Sequence, residues 1–261
     1  GNLSMALVPE LLLITAAGFA VPMALYPALR KIIGLNVANS ASLAAHYGSV
    51  SAGTFAVVLA YAQMRELPIA PQTTLYLVLL EMPAIIAGIV VYRRYSQGSS
   101  SAPSRSGLIH EALTGRSVLL LTGGVVIGYL YGPQGVTTIA PFFLALFPGL
   151  LGLFLLEMGI TTAGYIRAWQ PKSWRVVGFG LVVPPLLALT GMLMALVLSL
   201  PAGSALILAT LMASASYIAA PAAIRHAIPE ADVGMAMVAS LGVTFPFNIL
   251  IGIPVYHALL N

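Results

Sequence analysis

The chain has 261 residues, of which 59% are hydrophobic and 7% charged, with a formal charge of +4 and a mean hydropathy of +0.98. A soluble domain carries about a quarter charged residues, so a water-solvated globule is excluded and the solvent for most of this surface is lipid. Cysteine is absent, which removes disulfides and thiolate metal sites, and no nucleic-acid partner is expected.

A bilayer core of about 30 Å needs roughly 20 apolar residues per helix, and eight segments meet that need. The first, 5–29, ends at Arg30-Lys31, with no basic region and cleavage site of a signal peptide before it. The second, 36–63, carries His46, Gly48, Ser49, Ser51, Gly53 and Thr54 near its middle. The third, 72–92, holds Glu81 just before Met82-Pro83 and ends at Arg93-Arg94. Ser96 to Ser106 is polar and too poor in apolar residues to offset its ordering entropy, so 96–116 is a cytoplasmic linker between two halves, 1–95 and 117–261.

The fourth segment, 117–132, is short, and the fifth, 137–164, contains Glu157. The sixth is 174–199, and the seventh, 204–227, has Ser214, Ser216 and Tyr217 near its centre with Pro221 beyond. The eighth, 231–259, opens after Glu230 and carries Thr244, Pro246 and Asn248. Eight crossings place ten of the eleven basic residues on one side and Arg65 alone on the other. The positive-inside bias makes the first side cytoplasmic and both termini external.

The second and seventh segments resemble each other when Leu43 is set on Leu208: Ser49 and Ser51 then fall on Ser214 and Ser216. The likeness continues from Pro83–Tyr92 to Pro246–Tyr256. The first three segments therefore correspond to the last three and enter the membrane from opposite sides, the inverted-topology repeat that secondary transporters use for alternating access. Two segments precede the second copy without counterparts before the first, so the intact protein is expected to carry two further N-terminal helices, five plus five.

Serine, glycine and proline weaken a helix, and both Ser-x-Ser pairs lie at mid-span, so both spans are expected to break there. A half-helix N-terminus then offers free N–H groups and a positive dipole to an anion. Ser49, Ser51, Thr54, Ser214 and Ser216 can add hydroxyl donors. Small residues that let helices approach, with serines bonded one turn back, explain the same pattern structurally.

Carboxylates inside spans are costly and mark function. Glu81 suits a cation or proton, and Thr244 and Asn248, at the equivalent place in the eighth span, offer neutral oxygens for sodium. Glu157 suits snorkelling or pairing with Arg167. His46 can sense pH or bond the backbone, and Glu230 and Asp232 read as caps at a helix start. An intramembrane enzyme is disfavoured, since neither H-E-x-x-H nor G-x-S-x-G occurs.

Tyr47-Gly-Ser-Val-Ser-Ala-Gly-Thr54, Leu80-Glu-Met-Pro-Ala84, Glu157-Met-Gly159 and Met212-Ala-Ser-Ala-Ser-Tyr-Ile-Ala-Ala-Pro-Ala222 together resemble the sodium-dependent bicarbonate transporters of the SbtA type. The resemblance implies a ten-span, all-α, inverted-repeat permease of the bacterial inner membrane, with bicarbonate held where two broken helices cross and sodium as the driving ion. It also implies a homotrimer and a cytoplasmic PII-like regulatory partner. Its substrate motif maps to Gly48, Ser49, Ser51 and Thr54, beside Gly53, and to Ser214 and Ser216. Cyanobacterial members read Ser-Ser-Asp-Ile-Ser-Gly-Pro-Pro in the second motif, so Tyr217 stands at the acidic place of that site and Ala219-Ala220 replaces Ser-Gly. Transport of another small carboxylate, proton coupling and a non-transporting sensor are the alternatives.

Overall fold

A computed structural model of the chain describes residues 5–96, 116–168 and 174–260, and every regular element among them is helical. Lipid offers no hydrogen bonds, so a lone segment must close its own backbone pairs, which a helix does. Helix α1 (Val8–Ala28) has Pro9 in its first turn, where a missing N–H costs nothing, and runs on as a π-helical turn, Leu29–Ile33, until Gly34 at φ 84 ends it. Helix α2 (Val37–Gly48) starts under an Asn36 cap that accepts from the Asn39 N–H at 2.8 Å. Helix α3 (Ala52–Met64) continues in the same span, and α4 (Leu75–Tyr95) follows a 3-10 turn at Pro71–Thr74.

Helix α5 (Arg116–Ala168) is interrupted at Gly132, whose φ of 62 suits a residue without a Cβ. Then come α6 (Trp174–Val197), α7 (Ala202–Met212), α8 (Ala219–Ala227) and α9 (Val233–Leu260). Within α9 the winding widens twice, at Val238–Thr244 and Asn248–Gly252, on either side of Pro246. Proline lacks an N–H and crowds the carbonyl four residues back, and π turns absorb that strain.

Among the described residues, six helical runs are long and apolar enough to cross a membrane: Val8–Ile33, Val37–Met64, Pro71–Tyr95, Ala140–Arg167, Trp174–Val197 and Val233–Leu260. The expected fourth and fifth segments lie in α5 on either side of Gly132, so the connection read as 133–136 is a one-residue interruption. The expected seventh segment is divided between α7 and α8. Most of the linker, 97–115, lies outside the described residues, as does Lys172.

Helix α1 packs along α4 and α2, α3 lies on α7, and α6 lies on α7 and the first π turn of α9. Small residues set these distances: Gly88 faces Ala45, and Gly191 faces the Ala209 backbone. The two ends of the bundle differ in charge. At one end Tyr26 and Tyr95 stack 5.2 Å apart, Arg175 donates to the Ile33 carbonyl at 3.4 Å, and Arg30 donates to the Leu35 carbonyl. Arg30, Lys31, Arg93, Arg94 and Arg175 are thereby gathered at the junction of α1, α4 and α6. At the other end Glu10 accepts from Tyr76 and Gln72, and Ser204 bonds Thr73 at 2.7 Å and accepts from the Ala70 N–H at 2.8 Å.

Of the two acids expected to open the last helix, Asp232 caps it, accepting from the Met235 N–H at 2.9 Å. Glu230 does not: it accepts from the Tyr92 hydroxyl at 2.7 Å, which holds its carboxyl below the usual range.

A Cβ at Gly191 would lie 2.7 Å from Ala209 Cα, which is backbone and cannot turn away, whereas a Cβ at Gly178 meets nothing within 4 Å. Gly191→Ala is therefore expected to destabilise by about 1–3 kcal/mol through overpacking. Gly178→Ala should be neutral or stabilise by up to about 1 kcal/mol. Thermal unfolding in detergent reads both, and equal midpoints for the two variants would contradict this packing.

Candidate functional site

Helix α2 stops at Gly48 because the next residues leave helical space, with Ser49 at φ −82, ψ 153 and Ser51 at φ −108, ψ 119. Serine side chains compete with backbone for helical hydrogen bonds, and here Ser51 Oγ accepts from the Thr54 N–H at 3.0 Å and starts α3 as its cap. Helix α7 ends at Met212, and α8 restarts at Ala219 with Ser216 Oγ accepting from the Ala220 N–H at 3.1 Å. Pro221 falls in the first turn of α8, where its lost N–H has no partner to miss. Both expected breaks are present, at the expected serines.

The two breaks bind each other. The Ser51 N–H donates to Ser214 Oγ at 3.0 Å, and Ser214 Oγ in turn donates to the Leu211 carbonyl at 2.7 Å. In the other direction the Ser216 N–H donates to the His46 carbonyl at 2.8 Å. Each break thus satisfies backbone groups that the other cannot keep within its own helix. The polar residues involved are all buried, from 0% exposure for Ser49 to 3% for Ser51.

Between the breaks lies a cavity of about 10 Å³ lined by Val50, Ser51, Ala52, Glu81, Ser216, Tyr217, Ile218 and Ala219. That is about the space one water requires. The starts of α3 and α8 both border it, so their unpaired first-turn N–H groups and positive dipole ends converge there. Glu81, 2% exposed, lines the cavity without a hydrogen-bonding partner among the described residues. Ser49 Oγ and Tyr217 Oη are also buried without a partner. Gly48 touches Pro22 of α1, and Gly53 touches Tyr217 Oη and the Phe154 ring, both approaches that a Cβ would block.

The other candidates lie elsewhere. Thr244 Oγ1 donates to the Gly180 carbonyl at 2.8 Å and bonds Tyr47 Oη at 2.7 Å. Asn248 donates to the Ala213 carbonyl at 2.8 Å and accepts from Tyr256 at 3.0 Å. Neither lines the cavity with Glu81. No group of three or more His, Cys, Asp or Glu is assembled among the described residues. His46 is buried, with Nδ1 on the Ser42 carbonyl at 2.7 Å and Nε2 unpaired. Glu157 is on the exposed face of α5.

Sequence reasoning did not assign Tyr47, Tyr256 or Phe154. The spacing of Ser240, Thr244, Asn248 and Tyr256 by multiples of four marks one face of α9, a signal for the first two tyrosines' partners. Phe154 carries no such mark, because the stretch of α5 around it, residues 150–156, is apolar on every face.

The family model of the Na+-dependent bicarbonate transporter superfamily matches residues 1–261. A comparison with curated proteins returned no match.

Asn248→Ala leaves the Ala213 carbonyl and the Tyr256 hydroxyl buried and unpaired. The expected cost is about 1–3 kcal/mol per orphaned group, read as a lower unfolding temperature in detergent with the helical content kept. An unchanged midpoint would remove Asn248 from the support of the second break.

Proposed function

The chain belongs to the Na+-dependent bicarbonate transporter superfamily, and from that premise we propose that it takes part in sodium-coupled bicarbonate uptake, with the anion seated between the starts of α3 and α8. The observation that carries the reading is the reciprocal pair of hydrogen bonds, Ser51 N–H to Ser214 Oγ and Ser216 N–H to the His46 carbonyl, which brings two helix N-termini to one cavity.

Charge supports a monoanion with a cation. Each helix start contributes roughly half a positive charge, so two together offset about one negative charge. Bicarbonate alone would meet that sum, but the Glu81 carboxylate at the same cavity adds a second negative charge. Two anionic groups in a buried site repel strongly, so anion entry requires that Glu81 be neutralised, by a proton or by a cation beside it, and the family favours the cation. Sodium, a hard ion that takes oxygen ligands, suits a carboxylate surrounded by carbonyls and hydroxyls.

A cavity of about 10 Å³ is too small for the four heavy atoms of bicarbonate, so loading moves its walls. In this reading 1–95 and 117–261 are inverted repeats joined by 96–116, and rocking of one part against the other opens the seat to each side in turn. The gathered Arg30, Arg93, Arg94 and Arg175 support a reading in which their end of the bundle faces the cytoplasm and both termini lie outside. A bacterial inner-membrane homotrimer with a PII-like partner on the cytoplasmic face completes the proposal.

A sodium gradient is expected to drive labelled bicarbonate uptake into proteoliposomes of the full-length protein, and Ser51→Ala with Ser216→Ala is expected to reduce it at least about tenfold, since both caps and both helix starts loosen. Uptake indifferent to sodium, or untouched by the double substitution, would overturn the proposal. Competition by other small carboxylates tests the choice of anion.

A further inference from the structure

The geometry points to Tyr217 as the residue that selects the anion: its phenol O–H donates directly to the ion bound at the start of α3, and its ring limits the size of what fits. This deepens the proposed bicarbonate seat and rests on it.

Tyr217 is 5% exposed, and its hydroxyl lies within reach of Ser51 but makes no hydrogen bond of good geometry there or to any other described residue. Ser51 Oγ is already engaged with the Thr54 N–H. Buried hydroxyls in native proteins nearly always find a partner, and an exception calls for a reason. The ring leaves the hydroxyl little freedom to find one elsewhere. Phe245 meets it edge-on at 5.2 Å and 69°, and Met237, Leu241 and Phe154 complete an apolar cage. The one polar direction left is toward Gly53, where the hydroxyl oxygen lies so close that a Cβ would collide with it. Gly53 is the second residue of α3, so the phenol oxygen lies against the first turn of that helix, whose N–H groups the helix cannot use itself.

A phenol at this place has two consequences for selection. It stays protonated through the physiological range, so it adds a donor to an anion without adding charge, and the seat keeps the single positive charge supplied by its two helix starts. Its ring is also the largest side chain lining a cavity of about 10 Å³, and its hydroxyl would face a methyl group in acetate where it meets an oxygen in bicarbonate, so its removal both opens space and lifts a polar mismatch that disfavours acetate.

Binding of 13C-bicarbonate and of acetate to the full-length protein in nanodiscs, measured calorimetrically in sodium, tests this with Tyr217→Phe and Tyr217→Ala. Tyr217→Phe keeps the ring and its cage and is expected to weaken bicarbonate about 10- to 100-fold, the loss of one hydrogen bond to a charged group. Tyr217→Ala is expected to raise the acetate-to-bicarbonate affinity ratio at least about tenfold. Should Tyr217→Ala fail to fold, Tyr217→Leu takes its place. A Phe variant that binds bicarbonate as tightly as the parent, or more tightly, makes the phenol a bystander or a plug and overturns the inference, as does an unchanged ratio. Parental protein that binds no bicarbonate overturns the seat itself, and normal parental binding with an unaffected Phe variant overturns the role of Tyr217 alone.

Discussion

Two chain breaks buried in a hydrocarbon-solvated bundle would each strand several backbone N–H and C=O groups, and every one left unpaired costs free energy that lipid cannot return. Here they are tolerable because they are placed on each other. The Ser51 amide reaches Ser214 Oγ, the Ser216 amide reaches the His46 carbonyl, and the serine at each restart caps the helix that follows. The remainder of the bundle holds this contact in place. Pro22 of α1 presses on Gly48, and Asn248 of α9 holds the Ala213 carbonyl. Tyr47 ties the end of α2 through Thr244 to the Gly180 carbonyl of α6.

These ties give α9 a meaning apart from spanning. Its two π-helical stretches flank Pro246 and turn Thr244 and Asn248 onto α2, α6 and the α7 break, where each side chain spends its donor on a backbone carbonyl. Groups so committed are suited to positioning. Glu81 differs from Thr244: it is a buried carboxyl group that lines the cavity, where Thr244 is spent on a carbonyl. In the proposed mechanism that difference makes one side of the crossing the cation's side. The contact of α5 is narrow by comparison, with Phe154, Leu155 and Met158 against Tyr217, Leu241 and Phe245, and it covers the start of α3.

Much of this was legible in the sequence because the signals were local. Long apolar runs identified helices, and Ser-x-Ser flanked by glycine and proline located both interruptions to the residue. The family likeness lay in the same short motifs and extends over the chain. What was not legible depends on distance in space. Nothing in the Glu230 segment foretells that Tyr92 claims its carboxylate while Asp232 caps α9. Thr244 and Asn248 are oxygen-bearing residues beside a proline, and sequence cannot tell an oxygen that awaits a cation from one already bonded to a carbonyl. Phe154 sits in a stretch of helix, residues 150–156, that is apolar on every side, so no periodicity marks the face that meets Gly53. At Gly132 a single left-handed residue replaced an expected loop, a choice between two chain paths that composition does not distinguish.

The central claim is that one anion is held by the starts of α3 and α8 together. Solid-state NMR on lipid-embedded full-length protein, recoupling 13C-bicarbonate to 15N-labelled glycine and alanine amides, measures this directly. The account predicts the bicarbonate carbon within about 4 Å of both the Gly53 and the Ala219 nitrogens, the distance set by N–H···O hydrogen bonds to its oxygens. Dephasing from one of these amides without the other, or from neither, would contradict it.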